Sequence, residues 1–250
     1  MTASSQRPPV LHSPPENPLT ACLIALAGTP DDASWIDCQL LTIVQLSADL
    51  MTSVTYASVT AYRADAMTTV AVSSDIAREI DQAQYDDSAG PCLDALDDAS
   101  PIAVPDIPAT MQWPGFRETA YRLGIKASLS IPLFAGSGTA IAALNLYSHD
   151  PKGLAPLSAA VRTTYDPPVG PDTSAAPGLD DGGDALIAGL VGAFAVRARI
   201  QQAIGMVMAT THRGADAAYL VLRLRAAETG ASLIDTASAV MAEREQVDLE

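Results

Sequence analysis

The side chains best placed to do chemistry in this 250-residue sequence gather near its C-terminal end. All six Lys or Arg residues of 184–250 are arginines, and Arg197, Arg199, Arg213, Arg223 and Arg225 fall in one short stretch. Guanidinium groups stack on unpaired bases and fork onto phosphates, and an aromatic ring at Tyr219 adds a second stacking surface. Gln202 supplies amide hydrogen bonds, and the small residues Ala203 and Gly205 let another backbone approach closely. The whole chain carries a formal charge of -15. Residues 1–183 hold eight Lys or Arg against 21 Asp or Glu, whereas 184–250 hold six against eight. The acidic front repels nucleic acid, so any contact is confined to a small C-terminal surface, which suits RNA loops and gives no reason to expect DNA. Two plainer readings stand beside this one. Tyr219 sits at an apolar helical spacing that also fits a core position, and solvated arginines pair by default with nearby carboxylates.

Nothing in the sequence assembles a catalytic or metal site. Cys22, Cys38 and Cys92 are odd in number and widely separated, form no CxxC pair and have no histidine at metal-ligand spacing. Cys92, within Gly90-Pro91-Cys92, reads as a small buried hydrophobe at a turn. His12 and His149 are poor candidates for haem ligation. The expectation is therefore no enzyme, no metal and no cofactor. With no apolar run long enough for a bilayer and a polar, proline-rich N-terminus, the protein reads as cytoplasmic and away from membranes.

The elements that must position these residues follow from periodicity. Residues 1–18, rich in Pro and Ser, read as a disordered tail. Apolar positions from Trp35 to Leu50 recur as one helix face. Alternation predicts strands at 56–63 and 67–74, joined as a hairpin, then at 101–106, 127–134 and 141–148, with helical segments at 75–98 and 113–123 between them. The sum is an α+β domain over 19–154, an antiparallel sheet of about five strands with packed helices. Residues 155–183 read as a Pro/Gly-rich linker that breaks any continuous rod. Beyond it, Ile187, Leu190, Val191 and Phe194 start a helix running from about 184 to 210. His212-Arg213-Gly214 breaks it, a second helix runs to Thr229-Gly230, and Ser232 with Asp235 caps a third. Residues 184–250 thus form an all-α, three-helix domain.

On Arg197, Ile200, Gln202, Ala203, Gly205, Met208, Ala218, Tyr219, Leu222, Arg223, Leu233, Asp235, Ala237 and Val240, this domain resembles an ANTAR domain, the RNA-binding module of transcription antitermination regulators. Many members carry a lysine where this sequence has Ile204. The front domain resembles a GAF domain of the kind found ahead of ANTAR modules in actinobacterial regulators. That match rests on 81–85 (DQAQY), 90–95 (GPCLDA), 104–106 (VPD), 113–116 (WPGF), 123–125 (LGI), 130–133 (SIPL) and 143–148 (ALNLYS).

The resemblance implies a signal-responsive antitermination regulator. Its ANTAR domain would bind hairpin elements in nascent RNA as a homodimer, and its GAF domain would take a small-molecule ligand. The RNA-binding residues would be Arg197, Arg199, Gln202, Ala203, Gly205, Arg213, Tyr219 and Arg223. Two alternatives belong to other classes: a GAF-type methionine sulfoxide reductase using Cys38 and Cys92, and a dimerising interaction protein that has lost RNA binding.

Overall fold

A computed structural model describes residues 17–63, 65–167 and 178–247. The expected N-terminal tail lies outside these residues as far as position 16. At Asn17 the chain is already capping a helix, α1 (Pro18–Ala27), by accepting a 2.9 Å hydrogen bond from the Leu19 amide, with Pro18 at the first helical position. Leu19, Leu23 and Leu26 of α1 are buried. The sequence reading left this helix unassigned.

Helix α2 (Ile36–Leu50) follows, then the hairpin β1 (Tyr56–Arg63) and β2 (Ala66–Val72). The expected helical segment 75–98 divides into α3 (Asp75–Asp86), capped by Ser74, and α4 (Pro91–Asp97). Strand β3 (Ile102–Val104), helix α5 (Pro114–Arg122) and strands β4 (Ala127–Phe134) and β5 (Ala140–Ser148) complete an antiparallel sheet of order β2-β1-β5-β4-β3. Proline in β4 is tolerated because β3 pairs only with Ser128–Ser130, so Pro132 has a partner on its β5 side alone.

Alternation along these strands gives the sheet two unlike faces. Ala57, Val59, Leu129, Ile131, Leu144 and Leu146 join one apolar core with Leu40, Ile43 and Val44 of α2 and the three leucines of α1. Ser58, Thr60, Ser128, Ser130, Asn145 and Tyr147 point the other way, toward α3, α4 and α5, and are buried too.

The region expected as a linker is corrected in two places. Residues 151–165 form α6, capped by Asp150 accepting from the Lys152 amide, with Leu154, Leu157 and Val161 buried in the apolar core. Their helical spacing outweighs Gly153 and Pro156, whose missing N–H forfeits one helical hydrogen bond. Residues 168–177 lie outside the described residues. Helix α7 then runs unbroken from Asp181 to Thr211. Its first half is part of the sensor core through Ala185, Leu186 and Leu190, and Thr20 donates a 2.8 Å hydrogen bond to the Ala185 carbonyl. The expected interruption of a rod is therefore overturned, since α7 itself passes from one core into the next.

That second core holds Ile200, Ala203, Ile204 and Val207 of α7, Ala218 and Leu222 of α8 (Ala215–Thr229), and Leu233 and Ala237 of α9 (Leu233–Val247). The helix ends fall as the sequence predicts. His212 closes α7 in the left-handed conformation, Gly230 ends α8 at φ 67°, and the Ser232 hydroxyl accepts from the Asp235 amide at 3.1 Å while donating to its carboxylate.

Candidate nucleic-acid interface

The structure sorts the eight residues expected to meet RNA into three groups. Arg199, Gln202 and Gly205 lie three apart along one ridge of α7, Arg213 lies at the break before α8, and all four are exposed. Among the described residues, Arg199 and Arg213 make no ion pair or hydrogen bond. Gly205 faces open space, so no packing within the chain requires a glycine there.

Ala203 forms the second group alone and is corrected. It is 0 % exposed within the three-helix core, so a ligand cannot touch it. Its neighbour Ile204 is only 4 % exposed. The departure from the family's lysine thus sits at a core position, and it removes no charge from the exposed ridge.

Arg197, Tyr219 and Arg223 form the third group, and each is held by the front domain. Asp32, in the loop between α1 and α2, accepts from the Arg223 guanidinium at 2.6 and 2.7 Å through its two oxygens. The hydrogen bond from Arg223 holds the Asp32 carboxyl below its ordinary range and raises the guanidinium in return. The Tyr219 ring lies 5.7 Å from that guanidinium. Its hydroxyl is buried against the β4–β5 turn, and burial, with Asp31 nearby, pushes it up to about 12. Gly136 makes this approach feasible, because a side chain there would run into the Tyr219 hydroxyl, Leu233 and the Thr29 carbonyl. Arg197 stacks over Phe134 at the end of β4, 3.9 Å from the ring centre. Arg225 pairs within the module, with Glu243 of α9.

On the polar face of the sheet a second constellation is assembled, whose Asp81, Gln84, Tyr85, Asn145 and Tyr147 lie in segments that carry the GAF resemblance but have no site role assigned by it. The Asp81 carboxylate, on α3 and 0 % exposed, accepts from Tyr147 (2.6 Å), Ser58 (3.0 Å), Thr69 (2.8 Å) and Asn145 (3.4 Å). Burial raises its pKa to about 6 against the opposing pull of those four donors. Thr69 spends its proton on Asp81 and so accepts from Tyr85, leaving Thr60 to donate to the Tyr85 oxygen. Gln84 donates to Tyr147 and accepts from the Cys92 amide at 2.9 Å. The alternation of Ser58, Thr60 and Asn145 with apolar neighbours was the available signal, but it reads as a wet face until α3 is known to cover it.

Cys92 is fully buried beside this network, and burial pushes its thiol up, away from the thiolate that redox chemistry requires. Cys38 is exposed on α2, which packs on the opposite face of the sheet, so the pair invoked for a reductase is separated by the sheet itself.

Family models match both domains. A GAF domain model matches residues 40–160 and an ANTAR domain model matches residues 188–241. No curated protein matches the chain. Among solved structures, a domain assigned to a two-component sensor histidine kinase of Sinorhizobium meliloti is similar at 15% identity and a TM-score of 0.37, covering 72% of this chain and 96% of that one. The GAF match takes in the sheet and most of α6, and the ANTAR match takes in the three-helix core. The chain therefore carries a GAF domain followed by an ANTAR domain.

Proposed function

We propose that this protein is a signal-responsive transcription antitermination regulator whose α7–α9 module binds hairpin elements in nascent RNA, under control of its GAF domain. The observation that carries the reading is the exposed ridge of Arg199, Gln202 and Gly205 with Arg213 beside it, uncompensated by carboxylates in a strongly acidic chain and lying within the ANTAR match. Two guanidiniums, an amide and a bare stretch of backbone suit phosphates and splayed loop bases.

Control follows from the third group of residues. In the arrangement described, RNA can reach the α7 ridge, while Tyr219 and Arg223 are occupied by the loop at 29–32 and the turn at 135–137. The GAF domain thus withholds half of the RNA face and releases it on signal.

Binding of a dual-hairpin RNA to wild type, Arg199→Ala and Arg213→Ala across a salt series tests the reading. Each substitution should weaken binding and make the log–log salt slope shallower by about one. Unchanged affinity and slope in both variants, or no binding by wild type, would remove the RNA assignment and favour a protein that only dimerises.

A further inference from the structure

Among the described residues, the partly buried arginines of α7 and α8 are matched with carboxylates, with one exception. Arg223 has Asp32 and Arg225 has Glu243, but Arg197 makes no ion pair and no hydrogen bond among the described residues. It is half-buried, so burial bears on its guanidinium with no counter-charge to offset it. In a chain with 29 Asp or Glu against 14 Lys or Arg, a half-buried cation lacking an acid is conspicuous.

Arg197 opens onto a cleft of about 640 Å³ where α7 leaves the sensor core. Three aromatic rings form one wall: Phe134 from β4, Tyr165 from the end of α6 and Phe194 from α7, with Tyr165 and Phe194 edge to face at 4.8 Å. Two of the chain's three phenylalanines are here. The facing wall is polar, made of the Ser137 and Thr139 hydroxyls of the β4–β5 turn with Gln201 of α7. Gly138, at φ 82°, lets that turn close on Gln201 and Arg197, where any side chain would collide.

One face of the Arg197 guanidinium is taken by Phe134, which leaves its in-plane N–H groups as a fork for a carboxylate. We propose that this junction cleft binds a small aromatic carboxylate, its acid group on Arg197 and its ring against Tyr165 and Phe194. The site differs from the polar face around Asp81, being built from both domains. It also exists only while α7 lies against the β4–β5 turn, so the ligand holds the docked arrangement and weakens RNA binding by the same factor that RNA weakens the ligand's. That consequence rests on the RNA reading, whereas the binding itself does not.

Calorimetric titration of the full chain, without RNA, with phenylacetate, 4-hydroxybenzoate and indole-3-acetate tests the site. At least one should bind saturably, at least tenfold more weakly to Arg197→Gln, and only a few-fold more weakly to Arg197→Lys, which keeps the charge and loses the fork. Thermal melts of both variants confirm that they fold. Absence of binding by all three acids overturns the proposal, as does equal binding of neutral phenylacetamide. Binding of inorganic phosphate as tight as that of the acids also overturns it and returns Arg197 to the RNA phosphates. If an acid binds but RNA affinity is unmoved by it, the site stands and the coupling falls.

Discussion

The network around Asp81 and the arginine face of α7 and α8 both gather polar groups, and they handle the cost of doing so in opposite ways. Asp81 is sealed beneath α3 with four donors on its two oxygens, so every contact is made within one domain. The arginine face is assembled across a domain boundary: one guanidinium is on loan to Asp32, another stacks on Phe134, and Arg199 and Arg213 are open. A sealed network centred on one multiply bonded carboxylate fixes a structure, whereas contacts between exposed side chains of two domains are weak enough to exchange. The difference assigns rigidity to the sensor sheet and adjustability to its junction with the RNA module.

The sharpest way to break this contrast is at Asp81. Asp81→Ala leaves Tyr147, Ser58, Thr69 and Asn145 without their shared acceptor and should cost about 3 kcal/mol or more, read as a lowered urea midpoint. Titration gives a second test at the same residue. The folded pKa of about 6 lies above the ordinary value of 3.8, so the stability contributed by Asp81 is fully present below about pH 4 and is lost as pH rises through about 6. Roughly 2–3 kcal/mol of folding free energy should vary over that window. Asp81→Asn, which cannot ionise, should flatten the profile between pH 4 and 7; an unchanged profile would show that Asp81 is not the group responsible.

At the module core the expected effect is somewhat smaller. Ile204→Lys restores the residue common in the family but places an ammonium at a position 4 % exposed, among Ile200, Val207 and Leu222. A loss of about 1–3 kcal/mol is expected, limited by how far the lysine can reach out to solvent, with no steepening of the salt slope for RNA. A steeper slope would move position 204 from the core to the contact face.

These cases show which parts of the molecule could be read from its residues. Strands β1, β4 and β5 announce themselves by alternation, and the two breaks of the ANTAR module by His212 and by Gly230 with Ser232, because local backbone preference and packing agree there. Helix α1 carries no polar face to contrast with its leucines, and its Asn17-Pro18 start is lost in a proline-rich run. Helix α6 hides behind Gly153 and Pro156, whose composition suggests a linker even though Leu154, Leu157 and Val161 line one side. Of the proposed contact residues, Arg199, Gln202, Gly205 and Arg213 are exposed. Ala203 could not be separated from them, because a small residue serves core packing and close approach equally well. The pairing of Arg223 with Asp32 joins residues 191 positions apart, and no local signal encodes it.

Gly205 tests the open ridge from the side of stability. A glycine in a helix interior costs about 1 kcal/mol relative to alanine, and an added methyl group would meet nothing here. Gly205→Ala should therefore stabilise the protein by about 0.5–1 kcal/mol while, on the RNA contact proposed for this ridge, weakening RNA binding. Stabilisation without loss of RNA affinity would confine contact to the arginines on either side.

The smallest effect, and the one closest to regulation, is expected at Asp32. Its side chain is 65% exposed and that of Arg223 31%, so the pair contributes little to folding. Asp32→Asn removes the carboxylate that holds Arg223 and, on the proposed competition with RNA phosphate, should tighten RNA binding about two- to five-fold, with the melting temperature almost unchanged. Any loss of negative charge favours RNA to some degree, so Asp37→Asn supplies the matching control. Asp37 pairs with Arg63 inside the sensor and makes the same change in net charge away from the junction. Tightening in Asp32→Asn alone would identify the Asp32–Arg223 contact as a restraint on the RNA face. Equal tightening in both variants would reduce the contact to general electrostatics, and the control attributed to the junction would then have to come from Tyr219 and the β4–β5 turn.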